Sequence, residues 1–473
     1  MMANKEIDTS NYTGVAFDSR QVEHGNIFVS IEGTKANGDD FIKDAIQNGA
    51  TLIITSEDSN YQAAQGTAVI KVKHPRKTLA KLANQFYQPQ PENIVAVTGT
   101  SGKTSVAYFY QQITELLGCK SASIGTLGIK SNVAAPIELE GSLTSPDPVT
   151  LNRSLELLAT AGVTHVAIEA SSHGIEQKRL SGIKFCAAAF TNFSQDHLDY
   201  HQTMDQYFKA KMQLFTKVLH SGYAIINADI SEFADISQLI SSKSSLKILT
   251  YGHLGNQIKL ISKKKNIITL EILGSNFTTT FYPEGNFQIH NLMAAIGLAI
   301  ANNFKPHEIM TIVPQLKAAP GRMEKVATYN DAKIFVDYSH KPDALEKALQ
   351  TLKNECEGQL FVIFGCGGDR DKTKRPIMGA IAGKYADYVI ITDDNPRFED
   401  ASQIRSQVMA GCPNAQEYAN RSTAIAQTIA KLKPQDILLI AGKGHETYQI
   451  IGNDHHHFSD TEEVLRALNP SKT

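Results

Sequence analysis

The feature that most constrains the fold is a short apolar run, Ile94-Val95-Ala96-Val97, followed after one residue by Gly99-Thr100-Ser101-Gly102-Lys103-Thr104-Ser105. Such a run suits a strand buried on both faces of a parallel sheet. Beyond the turn, Val106, Phe109, Ile113 and Leu117 recur at helical spacing, and Gly118 can stop the helix. A helix from Thr104 to about Leu117 is therefore predicted. Strand, glycine turn and helix in that order offer backbone N–H groups and a positive helix end to an anion. Lys103 can reach the β- and γ-phosphates of a nucleotide, and the Thr104 hydroxyl can ligate Mg²⁺. Val97 stands where the longer phosphate loops carry a glycine. The loop is thus a shortened one, which disfavours a generic P-loop GTPase. The competing reading is a glycine turn bearing a surface lysine.

The strand-then-polar-turn pattern recurs. His165–Ile168 runs into Glu169, Cys186–Phe190 into Thr191-Asn192, and Ala224–Ile226 into Asn227. A later group, Ile334–Val336, Leu360–Phe364, Tyr388–Ile391 and Ile437–Ile440, does the same, starting after Pro320-Gly321. In open α/β sheets ligands bind at the carboxyl ends of strands, so two such sheets imply two sites. Before them, strand-like Asn26–Ile31 and Thr51–Thr55 flank a helical stretch near Asp40–Asn48, and Gln88-Pro89-Gln90-Pro91 reads as a linker. A chain of 473 residues exceeds a single core. The expected class is α/β in three domains: a small N-terminal α/β domain over 1–88, a central P-loop-type ATPase domain with a mostly parallel sheet over 89–318, and a C-terminal Rossmann-like α/β domain over 319–473.

Formal net charge is −2, so no global field attracts nucleic acid or an anionic membrane, and an anionic substrate must meet local donors. The five cysteines are scattered without Cys-x-x-Cys spacing, which argues against disulfides or structural zinc. The first residues carry no apolar signal core, and no run approaches a membrane span. A cytoplasmic protein acting on small molecules, as a monomer and without nucleic-acid or membrane partners, is expected. His455-His456-His457 follows Gly452-Asn453-Asp454 and reads as a solvated loop, not a metal site.

Gly99-Thr100-Ser101-Gly102-Lys103-Thr104 resembles the ATP loop of the Mur ligase superfamily, and the resemblance extends over essentially the whole chain. Glu169-Ala170-Ser171-Ser172-His173-Gly174 resembles the family's Glu-x-Ser-Ser-His-Gly segment, and Thr191-Asn192-Phe193-Ser194-Gln195-Asp196-His197-Leu198-Asp199 its Thr-Asn-x-x-x-Asp-His-Leu-Asp segment. Glu169 at a strand end suits a hard cation, and the resemblance makes His197 a second metal residue. Taken alone, His197 is an ordinary structural or surface histidine. Tyr207-Phe208-Lys209-Ala210-Lys211 resembles the segment whose final lysine, here Lys211, is carbamylated by CO₂ and so becomes an anion able to hold Mg²⁺. Read alone, Lys211 is a helix-surface lysine. The implied metal set is Thr104, Glu169, His197 and Lys211, and the implied catalytic set Lys103, Lys211, Glu169 and His197. The nucleotide set is Gly99 to Ser105 with Asn291 on the adenine side. Asp337-Tyr338-Ser339-His340 resembles the segment closing over ATP, which adds Asp337 and His340.

The family's contacts to a UDP-linked sugar-peptide map onto Phe17 and Ser19 in Phe17-Asp18-Ser19-Arg20, onto Thr34, Lys35 and Ala36, onto Thr144 and Ser145, and onto Ser171, Gln177 and Arg179. Each segment alone is ordinary turn chemistry. At the carboxyl ends of the last sheet lie Arg370, then Asp394-Asn395-Pro396-Arg397, then Gly442 and Glu446. Arginines there can take carboxylates, and Asp394 and Glu446 an ammonium. An arginine at the distal end favours diaminopimelate over lysine, because lysine offers it no carboxylate and an unpaired buried arginine is costly. Asp-Asn-Pro-Arg also resembles the family's signature for meso-diaminopimelate. Relative to the common family pattern, Ser101, Ser105, Ser339, Lys341 and Phe17 are mild departures.

The resemblance thus implies ATP-dependent joining of meso-diaminopimelate to UDP-N-acetylmuramoyl-L-alanyl-D-glutamate through an acyl phosphate, with ATP and Mg²⁺. A lysine-adding ligase, a folate polyglutamate ligase and a silent nucleotide-binding scaffold are the alternatives. The folate enzymes lack the N-terminal unit and the Asp-Asn-Pro-Arg turn. A scaffold does not need Lys103, Glu169, His197 and Lys211 together.

Overall fold

The computed structural model describes residues 7–33, 36–62, 67–133, 143–242 and 245–469; Thr34 and Lys35 lie outside them. The chain forms two compact units, one of residues 1–281 with 290–315, the other of 282–289 with 316–473.

The first unit holds two sheets. Strands Gly14–Ala16, Asn26–Val29, Leu52–Ser56 and Ala68–Val72 lie side by side in that order, all parallel. The amphipathic helix Pro75–Phe86 buries Leu79, Leu82 and Ala83 against Val15, Ile27, Val29, Leu52 and Ile54. Its other face meets helix Pro148–Thr160, where the Asn84 amide donates to Asn152 Oδ1 at 3.2 Å. The Gln90 amide, from the proline-rich connection, donates to the same oxygen at 2.6 Å. This docking is why the small sheet belongs to the same compact unit as the second one.

The second sheet has ten strands, in the order Ser275–Thr280, Ile267–Ile272, Ile258–Lys264, Leu246–Gly252, Gly222–Asn227, Phe185–Phe190, Asn93–Thr98, His165–Glu169, Ser121–Gly125 and Gly128–Ser131. Its middle is parallel, and antiparallel hairpins finish both edges. The apolar run Ile94–Val97 is the fully buried centre of Asn93–Thr98. It pairs with 165–169 on one side and 185–190 on the other, with Val97 opposite Glu169 and Thr98 opposite Phe190. That register sets Gly99, Glu169 and Thr191 at one carboxyl edge, at the point where the strand order reverses. Helix Lys103–Leu116 follows, with Val106, Phe109 and Ile113 buried and Gly118 left-handed at φ 90° beyond its end.

The second unit carries six strands, in the order Glu324–Tyr329, Ala332–Asp337, Ile437–Ala441, Leu360–Phe364, Tyr388–Ile391 and Gln416–Glu417. Only the first pair is antiparallel. Alternate residues of these strands feed two separate cores, such as Val362, Phe364 and Leu439 on one face and Ile363, Leu438 and Ile440 on the other. The alternation is that of a sheet covered on both sides. The three histidines at 455–457 are not a loop: Asp454–His457 is an exposed strand paired antiparallel with Tyr448–Ile451. Side chains alternating across this exposed two-stranded ribbon keep the imidazoles in solvent, so the solvated part of the expectation stands. Among the described residues no helix is long and apolar enough to cross a membrane.

Candidate active site

The loop after Asn93–Thr98 is built on backbone that only glycine adopts easily. Gly99 has φ +141°, and a Cβ there would lie 1.9 Å from Thr191 Oγ1; Gly102 has φ +86°, and its Cβ would lie 2.4 Å from Asn291 Oδ1. Asn291 therefore packs on the loop from helix Asn286–Ala301. The segment after Phe185–Phe190 pins the other side. Thr191 Oγ1 donates to the Ser101 carbonyl at 2.6 Å, the Ser101 N–H to Asn192 Oδ1 at 2.9 Å, and the Thr100 N–H to the Asn192 carbonyl at 2.9 Å. Ser105 is buried in the first turn of the helix.

Two lysines converge on one carbonyl. Lys103 Nζ donates to the Gly99 and Thr100 carbonyls at 3.0 and 2.8 Å, and Lys211 Nζ donates to the Gly99 carbonyl at 2.7 Å. Lys211 is 1 % exposed and sits over the Tyr207 ring at 4.3 Å. Burial, then the Lys103 ammonium, hold its pKa well below the ordinary lysine value against the pull of Asp196. Burial thus favours the neutral amine, the form that can add to CO₂, a tendency its place on an amphipathic helix could not reveal.

Glu169 is buried at the strand end. Its carboxylate accepts from Thr104 Oγ1 at 3.0 Å, from the Thr126 N–H at 2.8 Å and from Thr126 Oγ1 at 3.2 Å. Thr126, in the turn of the 121–131 hairpin, escaped the sequence reading because it belongs to no motif. Gly125 beside it must be glycine, since a Cβ would lie 2.1 Å from Glu169 Oε1. His197 is left-handed at φ 54°, packs edge-on to His173 at 4.8 Å and lies 6.2 Å from the Tyr207 ring. The Thr104 hydroxyl against the buried Glu169 carboxylate makes an oxygen pair of the kind that suits a hard cation such as Mg²⁺.

The residues expected on the acceptor side form one network. Ser145 Oγ donates to the Glu169 carbonyl at 2.7 Å, lies 3.0 Å from Ser171 Oγ and accepts from the Ser171 N–H. Arg179 Nη1 donates to the Ser145 carbonyl at 2.6 Å and its Nη2 to Gln177 Oε1 at 2.7 Å. Thr144 reaches Thr126 hydroxyl to hydroxyl at 3.3 Å. In the small sheet, the Ser19 carbonyl accepts from the Asn48 amide, Phe17 packs against the core, and the Ala36 carbonyl closes a turn on the Gly33 N–H.

In the second unit, Asp394, Asn395 and Pro396 are buried and Arg397 is left-handed at φ 52°. The Arg397 N–H donates to the Ile450 carbonyl at 3.0 Å, and its Nη1 to the Gly368 carbonyl at 3.0 Å. Gly368 is required there, because a Cβ would lie 1.9 Å from the Pro396 carbonyl. Asn395 is held from both ends: Nδ2 donates to Glu446 Oε2 at 3.1 Å, and Oδ1 accepts from Lys443 Nζ at 3.2 Å and from the Ile450 N–H at 3.0 Å. Lys443 is fully buried, and its Nζ also meets Glu446 Oε2 at 3.3 Å and the Tyr448 carbonyl at 2.5 Å. Burial raises the Glu446 carboxyl and the Lys443 ammonium opposes that rise. Lys443 was not among the expected site residues. Its burial is a tertiary property, and only its place between Gly442 and Glu446 hinted at it.

Gly442 passes close to Asp394, where a Cβ would lie 2.9 Å from Oδ2. Arg370 is exposed, on a loop anchored by the fully buried Arg375, which grips Glu399 at 3.0 Å with two nitrogens. That pairing drops the Glu399 carboxyl to about 2. Asp337 takes the Met323 N–H at 2.6 Å and the Ser339 N–H at 2.9 Å, and burial raises its carboxyl. Burial also pushes the neighbouring His340 down to about 4, with Nδ1 against the Tyr338 carbonyl at 2.8 Å.

A shortened phosphate loop on a mostly parallel sheet, with a carboxylate, a buried lysine and an arginine-bearing second sheet, defines a nucleotide-dependent enzyme of the α/β class. Family models fit it in three stretches: the Mur ligase family catalytic domain over residues 11–87, the Mur ligase middle domain over 97–299, and the glutamate ligase domain of Mur ligases over 321–444. The chain is 45% identical to the UDP-N-acetylmuramoyl-L-alanyl-D-glutamate--2,6-diaminopimelate ligase of Brucella melitensis biotype 1, covering 99% of this chain and 96% of that one. It is 43% identical to the ligase of the same name from Rickettsia prowazekii, over 96% and 95% of the two chains. A solved diaminopimelate ligase of that name superposes with a TM-score of 0.72 at 32% identity, covering 98% of this chain and 96% of the other. MurF ligase from Thermotoga maritima in complex with ADP shares the fold at a TM-score of 0.63 and 17% identity, over 98% and 99% of the chains. The protein belongs to the Mur ligase family and has its three-domain, ATP-using fold.

Proposed function

We propose that the protein joins meso-diaminopimelate to UDP-N-acetylmuramoyl-L-alanyl-D-glutamate at the expense of ATP, in the cytoplasm, for peptidoglycan synthesis. The observation that carries the choice of amino acid is the locked Asp394-Asn395-Pro396-Arg397 turn. Arg397 is held left-handed by the Ile450 and Gly368 carbonyls, and Asn395 is bridged to Glu446 through Lys443. A guanidinium so oriented matches a carboxylate in fork geometry, and lysine has no distal carboxylate to offer it. Residues 1–88, 89–318 and 319–473 are proposed as the UDP-binding, ATP-binding and amino-acid-binding domains.

In this mechanism the loop from Gly99 to Ser105 cradles the phosphates and Asn291 borders the adenine. Lys103 leaves its loop carbonyls to stabilise the charge on the transferring phosphoryl group. Thr104, Glu169, His197 and carbamylated Lys211 would hold Mg²⁺, which would supply charge neutralisation for the phosphates. The acceptor carboxylate, positioned by Thr144, Ser145, Ser171, Gln177 and Arg179, attacks the γ-phosphorus; ADP leaves and an acyl phosphate forms. Phe17, Ser19, Thr34, Lys35 and Ala36 hold the UDP end. Arg370, Asp394, Gly442 and Glu446, with the 394–397 turn, present the amino acid. Its neutral amine attacks the acyl carbon, phosphate departs, and the amide remains. The family resemblance assigns Asp337 and His340 to the nucleotide; His340, neutral near pH 7, donates or accepts a hydrogen bond without adding charge.

The test is isotopic. An acceptor whose glutamate carboxylate carries heavy oxygen is incubated with ATP and diaminopimelate. The released phosphate is expected to gain one heavy oxygen per amide formed. Amide formation without label in phosphate excludes the acyl phosphate, and no amide at all excludes the assigned reaction.

A further inference from the structure

We propose that Asp229, His253 and His290 form a binding site for one divalent transition-metal ion of the zinc class. The three come from separate, well-fixed elements. Asp229 follows strand Gly222–Asn227, His253 directly follows Leu246–Gly252, and His290 lies in helix Asn286–Ala301. One ring nitrogen of each histidine and one carboxylate oxygen all lie within 4.8 Å of one another.

The carboxylate is oriented before any ion arrives. Its Oδ2 accepts from the His253 N–H at 2.8 Å and its Oδ1 from the Leu254 N–H at 2.8 Å. Gly252, at φ +126°, lets the chain wrap this closely, since a Cβ there would lie 2.5 Å from Oδ2. Outer hydrogen bonds of this kind fix ligating carboxylates in metal centres.

His290 Nε2 lies 2.9 Å from Asp229 Oδ2, and the His253 ring stands 5.6 Å from the His290 ring, centroid to centroid. Ligand atoms around tetrahedral zinc stand about 3.4 Å apart, given bonds of about 2.0–2.1 Å. His253 is exposed and can turn toward the ion, while the 2.9 Å His290–Asp229 pair opens by about 0.5 Å. His290 becomes a ligand by carrying its proton on Nδ1, so that Nε2 turns its lone pair to the ion. Two imidazoles with one carboxylate select zinc, cobalt or nickel over magnesium or calcium, which prefer all-oxygen shells. An Asp–His hydrogen bond alone needs no second imidazole, and the convergence of His253 on the same carboxylate is what the metal reading accounts for. The ion would sit one residue from Asn291, which packs on Gly102 of the phosphate loop. The site itself does not depend on the ligase reading.

The test is isothermal titration of the full chain with zinc chloride under excess Mg²⁺, which occupies the oxygen-rich centre. Four proteins are compared: the native chain, His253→Ala, His290→Gln, and a control in which His455, His456 and His457 are all replaced by alanine. The native chain and the control are expected to share one strong site. In His253→Ala and His290→Gln that site should weaken by about tenfold or more, the range seen when metal shells lose a supporting group. Unchanged zinc affinity in His253→Ala, whose exposed side chain can be removed without disturbing the fold, overturns the proposal. So does weakening in only one of the two single variants, or loss of the strong site in the hairpin control.

Discussion

Replacing Lys443 by methionine isolates the part of the account that concerns amino-acid recognition. The substitution keeps length and apolar volume and removes one buried ammonium. Three acceptors then lose a donor: Asn395 Oδ1, Glu446 Oε2 and the Tyr448 carbonyl. An unsatisfied buried acceptor costs about 1–3 kcal/mol, but two of the three keep some compensation. Asn395 Oδ1 retains the Ile450 N–H, and Glu446, already pushed up by burial, can take a proton once the lysine is gone. A net loss of about 3 kcal/mol of stability follows. The Asn395 side chain keeps Ile450 and Glu446 but loses its charged partner, which loosens the turn that aims Arg397. KM for diaminopimelate is therefore expected to rise about 10- to 100-fold, or about 1.4–2.7 kcal/mol, while KM for ATP changes by less than about twofold, since that site is built from other strands. Initial rates of phosphate release at varied diaminopimelate and at varied ATP give both numbers, and a urea titration confirms that the variant is folded. A folded variant with an unchanged KM for diaminopimelate would refute the positioning role, and equal losses in both constants would make the lysine merely structural.

Three further outcomes are expected. Gly99→Ala should lower ATP turnover by more than about tenfold, because its Cβ would meet Thr191 Oγ1 at 1.9 Å; Gly118→Ala, with open space around its Cβ, should cost only the roughly 1–2 kcal/mol of a left-handed alanine and spare activity. Isotopically labelled bicarbonate should give a protein-bound carbamate signal in carbon NMR that disappears in Lys211→Met; its persistence in that variant would assign the carbamate elsewhere. His340, depressed to about 4 from 6.5, is neutral in the folded protein over a range where the unfolded chain binds a proton. Its contribution is neutral above pH 6.5 and becomes destabilising as pH falls towards 4, by about 1.4 kcal/mol per unit at full slope. Urea midpoints at pH 7 and pH 5 should therefore separate more in the native chain than in His340→Gln, and an equal separation would contradict the burial argument.

The parts legible in the sequence were those whose signal is local. Asn93–Thr98, the glycine turn and its helix declared themselves because a buried parallel strand must be apolar throughout and the turn needs glycine at Gly99 and Gly102. The strands of the last sheet, ending at Asp337, Ile391 and Ala441, were visible for the same reason. What escaped depends on distance. Thr126 reaches Glu169 from a hairpin with no motif of its own. Lys443 looks like any polar turn residue until the fold buries it, and Arg375 like any helix-surface arginine until Glu399 meets it. The docking of the small sheet onto helix Pro148–Thr160 rests on Asn84, Gln90 and Asn152, amides that no periodicity distinguishes. The triad of Asp229, His253 and His290 is assembled from three elements and is invisible along the chain.

The central claim is tested most directly by phosphate release from ATP and Mg²⁺ with UDP-N-acetylmuramoyl-L-alanyl-D-glutamate, offered meso-diaminopimelate and L-lysine in parallel. Turnover with diaminopimelate and little with lysine is the predicted result. Turnover mainly with lysine would leave a ligase but contradict the role given to Arg397, and turnover with neither would contradict the assigned acceptor.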